Sequence, residues 1–129
     1  MMRKILLSDD NELIRELYKH LFEDKFTGYE VEIFPDGNSL VSRLEKNVND
    51  VFLVFTDNSM PPGPKGSEII KKYGKYPKFS KIPFVLCYAG DKEIGEEAVQ
   101  NGAFGFIEKP FDIEQFISII QKALDRYKE

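Results

Sequence analysis

Val51-Phe52-Leu53-Val54-Phe55-Thr56-Asp57 is an unbroken apolar and β-branched run that ends in a carboxylate. A run this short, rich in Val and Phe and without polar alternation, has the pattern of a strand buried on both faces of a parallel sheet. A second run, Lys4-Ile5-Leu6-Leu7-Ser8, is closed in the same way by the acid pair Asp9-Asp10. In open α/β sheets, ligands gather in the crevice beyond the carboxyl ends of the strands. If the first and third strands are neighbours, three carboxylates converge there. At ~4 Å and an effective dielectric of ~20, each like-charge pair costs about 4 kcal/mol. Such a cluster calls for a cation, a shared proton or a function.

Working outward from these two runs, apolar segments and helical patterns alternate five times, which implies a parallel sheet flanked by helices. Strands are expected over residues 4–8, 30–34, 51–57, 84–88 and 104–107. Helices are expected over 11–25, 38–46, 67–73 and 91–101, with a fifth beginning at Asp112. In the first helix Leu13, Ile14, Leu17 and Leu21 fall on one face at helical spacing and form the expected buried stripe. Pro35-Asp36-Gly37 turns the chain into the second helix, and Gly102 suits a left-handed cap at the end of the fourth. Asp112 and Gln115 form a capping box ahead of the stripe Ile113, Phe116, Ile117, Ile120 and Leu124. The architecture is (βα)5 α/β in one domain over residues 1–129, without repeat, linker or low-complexity tract.

Bulk properties narrow the function classes. The 129 residues are 42% hydrophobic and 31% charged, a composition that supports one packed core and excludes disorder. A net charge of −4 recruits neither nucleic acid nor an anionic membrane. The Lys71, Lys72, Lys75, Lys78 and Lys81 series, interleaved with Tyr73, Tyr76 and Phe79, is therefore read as a solvated segment with buried aromatics. The single cysteine, Cys87, excludes an internal disulfide, suits a reducing cytoplasm and fits an inert core thiol. His20, with no Cys or His partner near it, is read as structural. The opening apolar run is too short for a signal peptide or a membrane span. With almost no tail at either end, a stand-alone cytoplasmic domain, monomeric, is the expectation.

Four short signatures stand in order, each at a strand end: Ser8-Asp9-Asp10-Asn11, Thr56-Asp57-Asn58-Ser59-Met60-Pro61, Ala89, and Glu108-Lys109-Pro110-Phe111. Together they make the chain resemble the receiver domain of two-component response regulators, including the small chemotaxis receivers, over nearly its whole length. The resemblance implies a doubly wound, flavodoxin-like sheet of order 2-1-3-4-5. It implies that Asp57 is the phospho-accepting carboxylate, a nucleophile that forms an aspartyl-phosphate. Asp10, Asp57 and the backbone carbonyl of Ser59 would hold Mg²⁺, with Asp9 acting through water. Lys109 would be the cation for a phosphoryl oxygen, followed by a cis peptide at Pro110. The chemistry agrees, since Mg²⁺ takes oxygen ligands and retains waters and phosphate oxygens. The implied partners are a sensor histidine kinase or phosphotransfer protein and a downstream protein target. The implied chemistry is self-directed acceptance and loss of phosphate, not that of a conventional enzyme.

The chain departs from the family at the end of its fourth strand. Receivers carry Ser or Thr there, whose hydroxyl contacts the phosphoryl group and swings inward on activation; this chain has Tyr88, followed by Ala89. A phenol carries its hydroxyl several bonds further out, so coupling to the aromatic switch Phe106 is expected to weaken or reroute. The alternative reading is that Tyr88 simply fills space at the sheet edge. The loop between Asp57 and Gly66 is one residue longer than is usual in receivers and holds three prolines. Two rival functions follow: a receiver-like binding module that works without phosphorylation, motivated by Tyr88, and a small-molecule phosphohydrolase. The second is disfavoured because Ser59 stands where such enzymes place a second Asp. Gly63-Pro64-Lys65-Gly66-Ser67 lacks the spacing of a phosphate-binding loop.

Overall fold

The computed structural model describes residues 2–128. Five parallel strands, β1 (Arg3–Ser8), β2 (Tyr29–Phe34), β3 (Val51–Asp57), β4 (Phe84–Tyr88) and β5 (Gly105–Glu108), form one sheet. Their order is β2-β1-β3-β4-β5, so the implied topology holds. The helices α1 (Glu12–Lys25), α2 (Gly37–Leu44), α3 (Gly66–Tyr73), α4 (Lys92–Gln100) and α5 (Ile113–Lys128) alternate with the strands. A 3₁₀ turn at Pro77–Phe79 precedes β4.

The strand pleat sorts side chains into two cores. Leu6, Val54, Leu86 and Tyr88 point to the layer of α2, α3 and α4. Ile5, Leu7, Leu53, Phe55, Val85 and Cys87 point to α1 and α5. Every residue of β3 is buried, as expected for a central strand covered on both faces. Local signals set the ends of elements. Asn11 caps α1 by accepting from the Ile14 amide at 3.0 Å, and Asp36 caps α2 by accepting from Ser39 at 2.8 Å. Asp112 and Gln115 exchange the two capping-box bonds at 2.8 and 3.0 Å. After α4, the amides of Gly102 and Ala103 turn back to Val99 and Ala98 at 3.0 Å each. Gly102 takes φ +108°, a Schellman ending that favours glycine.

The buried stripe of α1 differs from the expected one. Leu13 and Leu17 are 81% and 53% exposed, while Tyr18 and Phe22 are buried. Tyr18 stacks on Phe116 with centroids 5.7 Å apart, and Phe22 meets Phe55 edge to face at 6.0 Å. An aromatic i, i+4 stripe competes with the leucine stripe about a quarter-turn away. The larger rings bury more area and win the sheet-facing position.

The lysine-rich segment 71–81 behaves as expected for Tyr73 and Phe79, which are buried, but Tyr76 is 47% exposed. Lys78 donates to the Leu44 carbonyl at 3.0 Å, tying the segment to the end of α2. His20 is exposed. Among the described residues no helix is long and apolar enough to cross a membrane.

Candidate functional site: an acidic cluster at the strand ends

The register of the sheet builds the site. Ser8 of β1 is level with Thr56 of β3, so Asp9 and Asp57, the next residues, emerge side by side. Behind them the Ser8 hydroxyl donates to Thr56 Oγ1 at 2.7 Å, and Thr56 donates to the Asp57 carbonyl at 2.9 Å. These buried bonds lock the two strand ends together. One carboxylate oxygen from each of Asp9, Asp10 and Asp57 lies within 4.8 Å of the others. The convergence inferred from the two apolar runs is therefore present.

The three acids differ in surroundings. Asp9 is 1% exposed. Its Oδ1 accepts from the Asn11 amide at 2.9 Å, while its Oδ2 is buried with no hydrogen-bond partner among the described residues. Asp10 is exposed. Asp57 is buried, and Lys109, from the end of β5, reaches over β4 to put Nζ 3.0 Å from Asp57 Oδ1 and 3.7 Å from Asp9 Oδ2. Burial pushes the Asp57 carboxyl above the usual carboxylate range; the Lys109 bond opposes this, and the Asp9 charge adds to it. Burial would lower the Lys109 ammonium, but the hydrogen bond and charge of Asp57 more than reverse that.

A buried, unpartnered carboxylate oxygen beside a second buried acid is costly unless a cation joins them. A lone ammonium half-satisfies the set. The all-oxygen donor set suits a hard divalent ion, so the residues present fit a metal site. Ser59, two residues beyond Asp57, is exposed beside them. The Lys109–Pro110 peptide is cis, as the resemblance implies.

Several contributors went unnoticed in the sequence. Arg15, on the first turns of α1, donates Nη1 to the Asp9 carbonyl at 2.8 Å and fixes the acid's backbone. Asn58 donates its amide to the Cys87 carbonyl and accepts from Gly66 and Ser67, each at 2.9 Å. It thereby folds the proline loop back onto β3. That loop docks on α2: Met60 and Pro62 carbonyls accept from Gly37 and Asn38 at 2.9 and 3.2 Å. Its prolines and extra residue thus have a packing role, including a second cis peptide at Pro61–Pro62. An Asn directly after a strand-end acid is a readable turn signal; the Arg15 contact has none, because it depends on how α1 settles.

Tyr88 is 1% exposed and lies under α4 on an interior strand, not at a sheet edge. Its ring packs on Phe106 with centroids 5.8 Å apart. Its hydroxyl turns to Glu108 Oε1 at 3.5 Å, a long contact. Burial, then the Glu108 charge, pushes the phenol above its ordinary value. Ala89 follows, exposed. Cys87 is buried against the Tyr18 hydroxyl at 3.8 Å, and burial pushes its thiol up to about 12, in keeping with an inert core thiol.

A family profile described as "Response regulator receiver domain" matches residues 5–121. The chain belongs to the response regulator receiver family. It is 28% identical over 122 residues to the DNA-binding transcriptional regulator NtrC of Salmonella typhimurium, covering 94% of this chain and 24% of that protein. It is 33% identical over 125 residues to the glycerol metabolism activator of Pseudomonas putida, covering 96% of this chain and 55% of that one. Among solved structures, a receiver domain protein from Clostridium thermocellum superposes with TM-score 0.84 at 27% identity, covering 98% and 97% of the two chains. The chemotaxis response regulator CheY4 of Vibrio cholerae gives 0.76 at 28% identity, covering 96% and 100%. The chain spans about a quarter of the length of the NtrC relatives it matches.

Proposed function

We propose that this receiver accepts a phosphoryl group on Asp57 from a phosphohistidine of a sensor kinase or phosphotransfer protein. The reading is carried by one observation: the 3.0 Å contact of Lys109 with Asp57, beside a buried Asp9 oxygen that has no hydrogen-bond partner among the described residues. A carboxylate oxygen of Asp57 attacks phosphorus, the P–N bond breaks, and its electron pair stays on the imidazole nitrogen. Lys109 neutralises a phosphoryl oxygen as the group arrives. Asp9, Asp10, Asp57 and the Ser59 carbonyl would hold Mg²⁺, which supplies charge neutralisation between nucleophile and phosphoryl group. The exposed apolar residues Leu17 and Ile113, which line one pocket with Lys109, give a protein donor a surface within reach of Asp57. Such a chain acts in the cytoplasm, does no chemistry beyond its own phosphorylation and dephosphorylation, and passes its signal by contact with a downstream protein.

The test is intact-mass measurement after incubation with Mg²⁺ and acetyl phosphate. A single phosphoryl adduct that disappears in Asp57→Asn is the expected result. An adduct that persists in the variant moves the acceptor elsewhere.

The absence of any adduct favours a second reading, a receiver-like binding module independent of phosphate. That reading is motivated by Tyr88, whose hydroxyl is engaged with Glu108. Under the first reading, Tyr88 and Phe106 form the switch, and Tyr88→Thr changes phosphoryl lifetime or partner affinity several-fold. Identical lifetime and affinity in that variant would remove Tyr88 from the switch.

A further inference from the structure

Between Glu68 and Asp91 the chain carries five lysines and neither an acid nor an arginine. Lys71, Lys72, Lys75, Lys78 and Lys81 are all exposed, and among the described residues none of them forms an ion pair. Consecutive turns hold the segment in shape. The Tyr76, Phe79, Ser80 and Ile82 amides donate to the Tyr73, Tyr76, Pro77 and Phe79 carbonyls at 2.9 to 3.1 Å. The buried rings of Tyr73 and Phe79 anchor it, with the Lys72 and Lys78 ammonium groups over them at 5.2 and 5.5 Å. Tyr76 is left exposed, its ring propped edge to face on Tyr73 with centroids 5.6 Å apart. The result is a fixed aromatic face flanked by unpaired cations before the amino end of β4, at the opposite end of the sheet from Asp57.

We propose that this surface docks a short acidic segment of a partner protein, rich in Asp and Glu and carrying one apolar or aromatic side chain. The carboxylates would answer Lys75, Lys81 and the free donors of Lys78, which gives one of its three to the Leu44 carbonyl. The apolar side chain would cover the Tyr76 ring. Charge selects this occupant. Five lysines here, in a chain of net charge −4, leave the remaining surface strongly acidic. Glu45, which accepts from the Tyr73 hydroxyl at 3.3 Å, marks the rim toward α2. A long nucleic acid or an anionic bilayer would run past the lysines onto those acids. A short acidic segment ends where the lysines end. Lysine offers a point charge without arginine's planar fork, so the carboxylates need no fixed geometry and the contact with Tyr76 sets the register. Docking here requires nothing of Asp57.

The test uses the unphosphorylated full chain and two fluorescein-labelled 12-residue peptides, one of Glu and Ser with a central Phe, one with every Glu replaced by Gln. The expected result is saturable binding of the glutamate peptide, with amide NMR shifts at Lys75, Tyr76, Lys78 and Lys81. Lys75→Gln with Lys81→Gln should weaken it at least tenfold, and Tyr76→Ser at least threefold. The matched pair Lys25→Gln with Lys92→Gln, equal in charge change and placed on α1 and the start of α4, should leave it within twofold.

Equal weakening by both pairs reduces the binding to net-charge attraction and overturns the proposal, as does equal binding of the glutamine peptide or saturable binding of neither. Tighter binding of a 12-nucleotide single strand, or of vesicles of equal parts phosphatidylserine and phosphatidylcholine, assigns the surface to nucleic acid or membrane and overturns it. Self-association whose shifts map to these lysines assigns it to a second copy and overturns it too. Because no phosphate is present, each of these outcomes leaves the acceptor role of Asp57 to its own test.

Discussion

Two carboxylate clusters sit on opposite ends of this sheet; ion pairing prevails over burial for Glu32 and Asp50 in one, and burial prevails for Asp57 in the other. Near the amino ends of the strands, Lys4 contacts Glu32 at 3.0 Å and Asp50 at 3.2 Å, while Arg43 contacts the same two acids at 2.8 and 3.5 Å. Two cations answer two anions. Burial works against both acids, yet the Arg43 and Lys4 bonds hold Glu32 and Asp50 below the usual carboxylate range. At the carboxyl ends three acids converge, Lys109 contacts two of them, Asp9 and Asp57, and burial carries Asp57 upward. A balanced cluster of this kind holds a fold together. An unbalanced one stores an affinity for whatever cation or phosphoryl-bound ion completes it.

The largest effect expected from breaking this contrast lies at Lys109. Lys109→Met should slow phosphoryl uptake from acetyl phosphate about 100-fold, the order seen when one preorganised electrostatic group is removed. Timed mass spectra check this, and uptake within threefold of the parent would remove Lys109 from the chemistry. Arg43→Ala should do the reverse, costing about 2 kcal/mol of stability by leaving partly buried acids underpaired while uptake is unchanged. Urea unfolding at pH 7 and at pH 4 separates its contributions. Because Glu32 and Asp50 titrate below their unfolded values, their stabilisation is complete above the unfolded pKa and is lost as pH falls through the folded one. The variant should therefore lose less on acidification than the parent.

The smallest effect is the most telling. Asp57 titrates above its unfolded value, so its ionisation costs the metal-free fold stability at neutral pH, and that cost vanishes once acid protonates it. Asp57→Asn should accordingly raise metal-free stability by about 1 kcal/mol at pH 7, with the gain fading toward pH 4. Adding Mg²⁺ at ten times its Kd should stabilise the parent by about 1.4 kcal/mol and the variant far less. A destabilised Asp57→Asn, or equal stabilisation of both by Mg²⁺, would mean that the cluster is not short of positive charge.

The acids of the unbalanced cluster were readable because each lies at the end of a strand whose apolar run is visible. Strand ends in a parallel sheet share one edge, so Asp9, Asp10 and Asp57 could be brought together before any coordinates. The balanced cluster was not readable. Lys4, Glu32, Arg43 and Asp50 come from β1, β2, α2 and a loop, and nothing in their spacing pairs them. The same limit explains α1, where two stripes of helical period compete. Period alone cannot say whether Leu13 and Leu17 or Tyr18 and Phe22 face the sheet; the aromatic partners Phe55 and Phe116 decide it.

Hydrophobic period and turn chemistry act between near neighbours, so the chain's own order of residues is enough to set five strands, five helices, their caps and the acid-bearing ends. Contacts between distant segments obey no such period. The turn of Tyr88 toward Glu108, the bare Asp9 oxygen facing Lys109 and the exposed ring of Tyr76 exist only after the layers have packed. Each is a compromise among groups that meet for the first time in three dimensions.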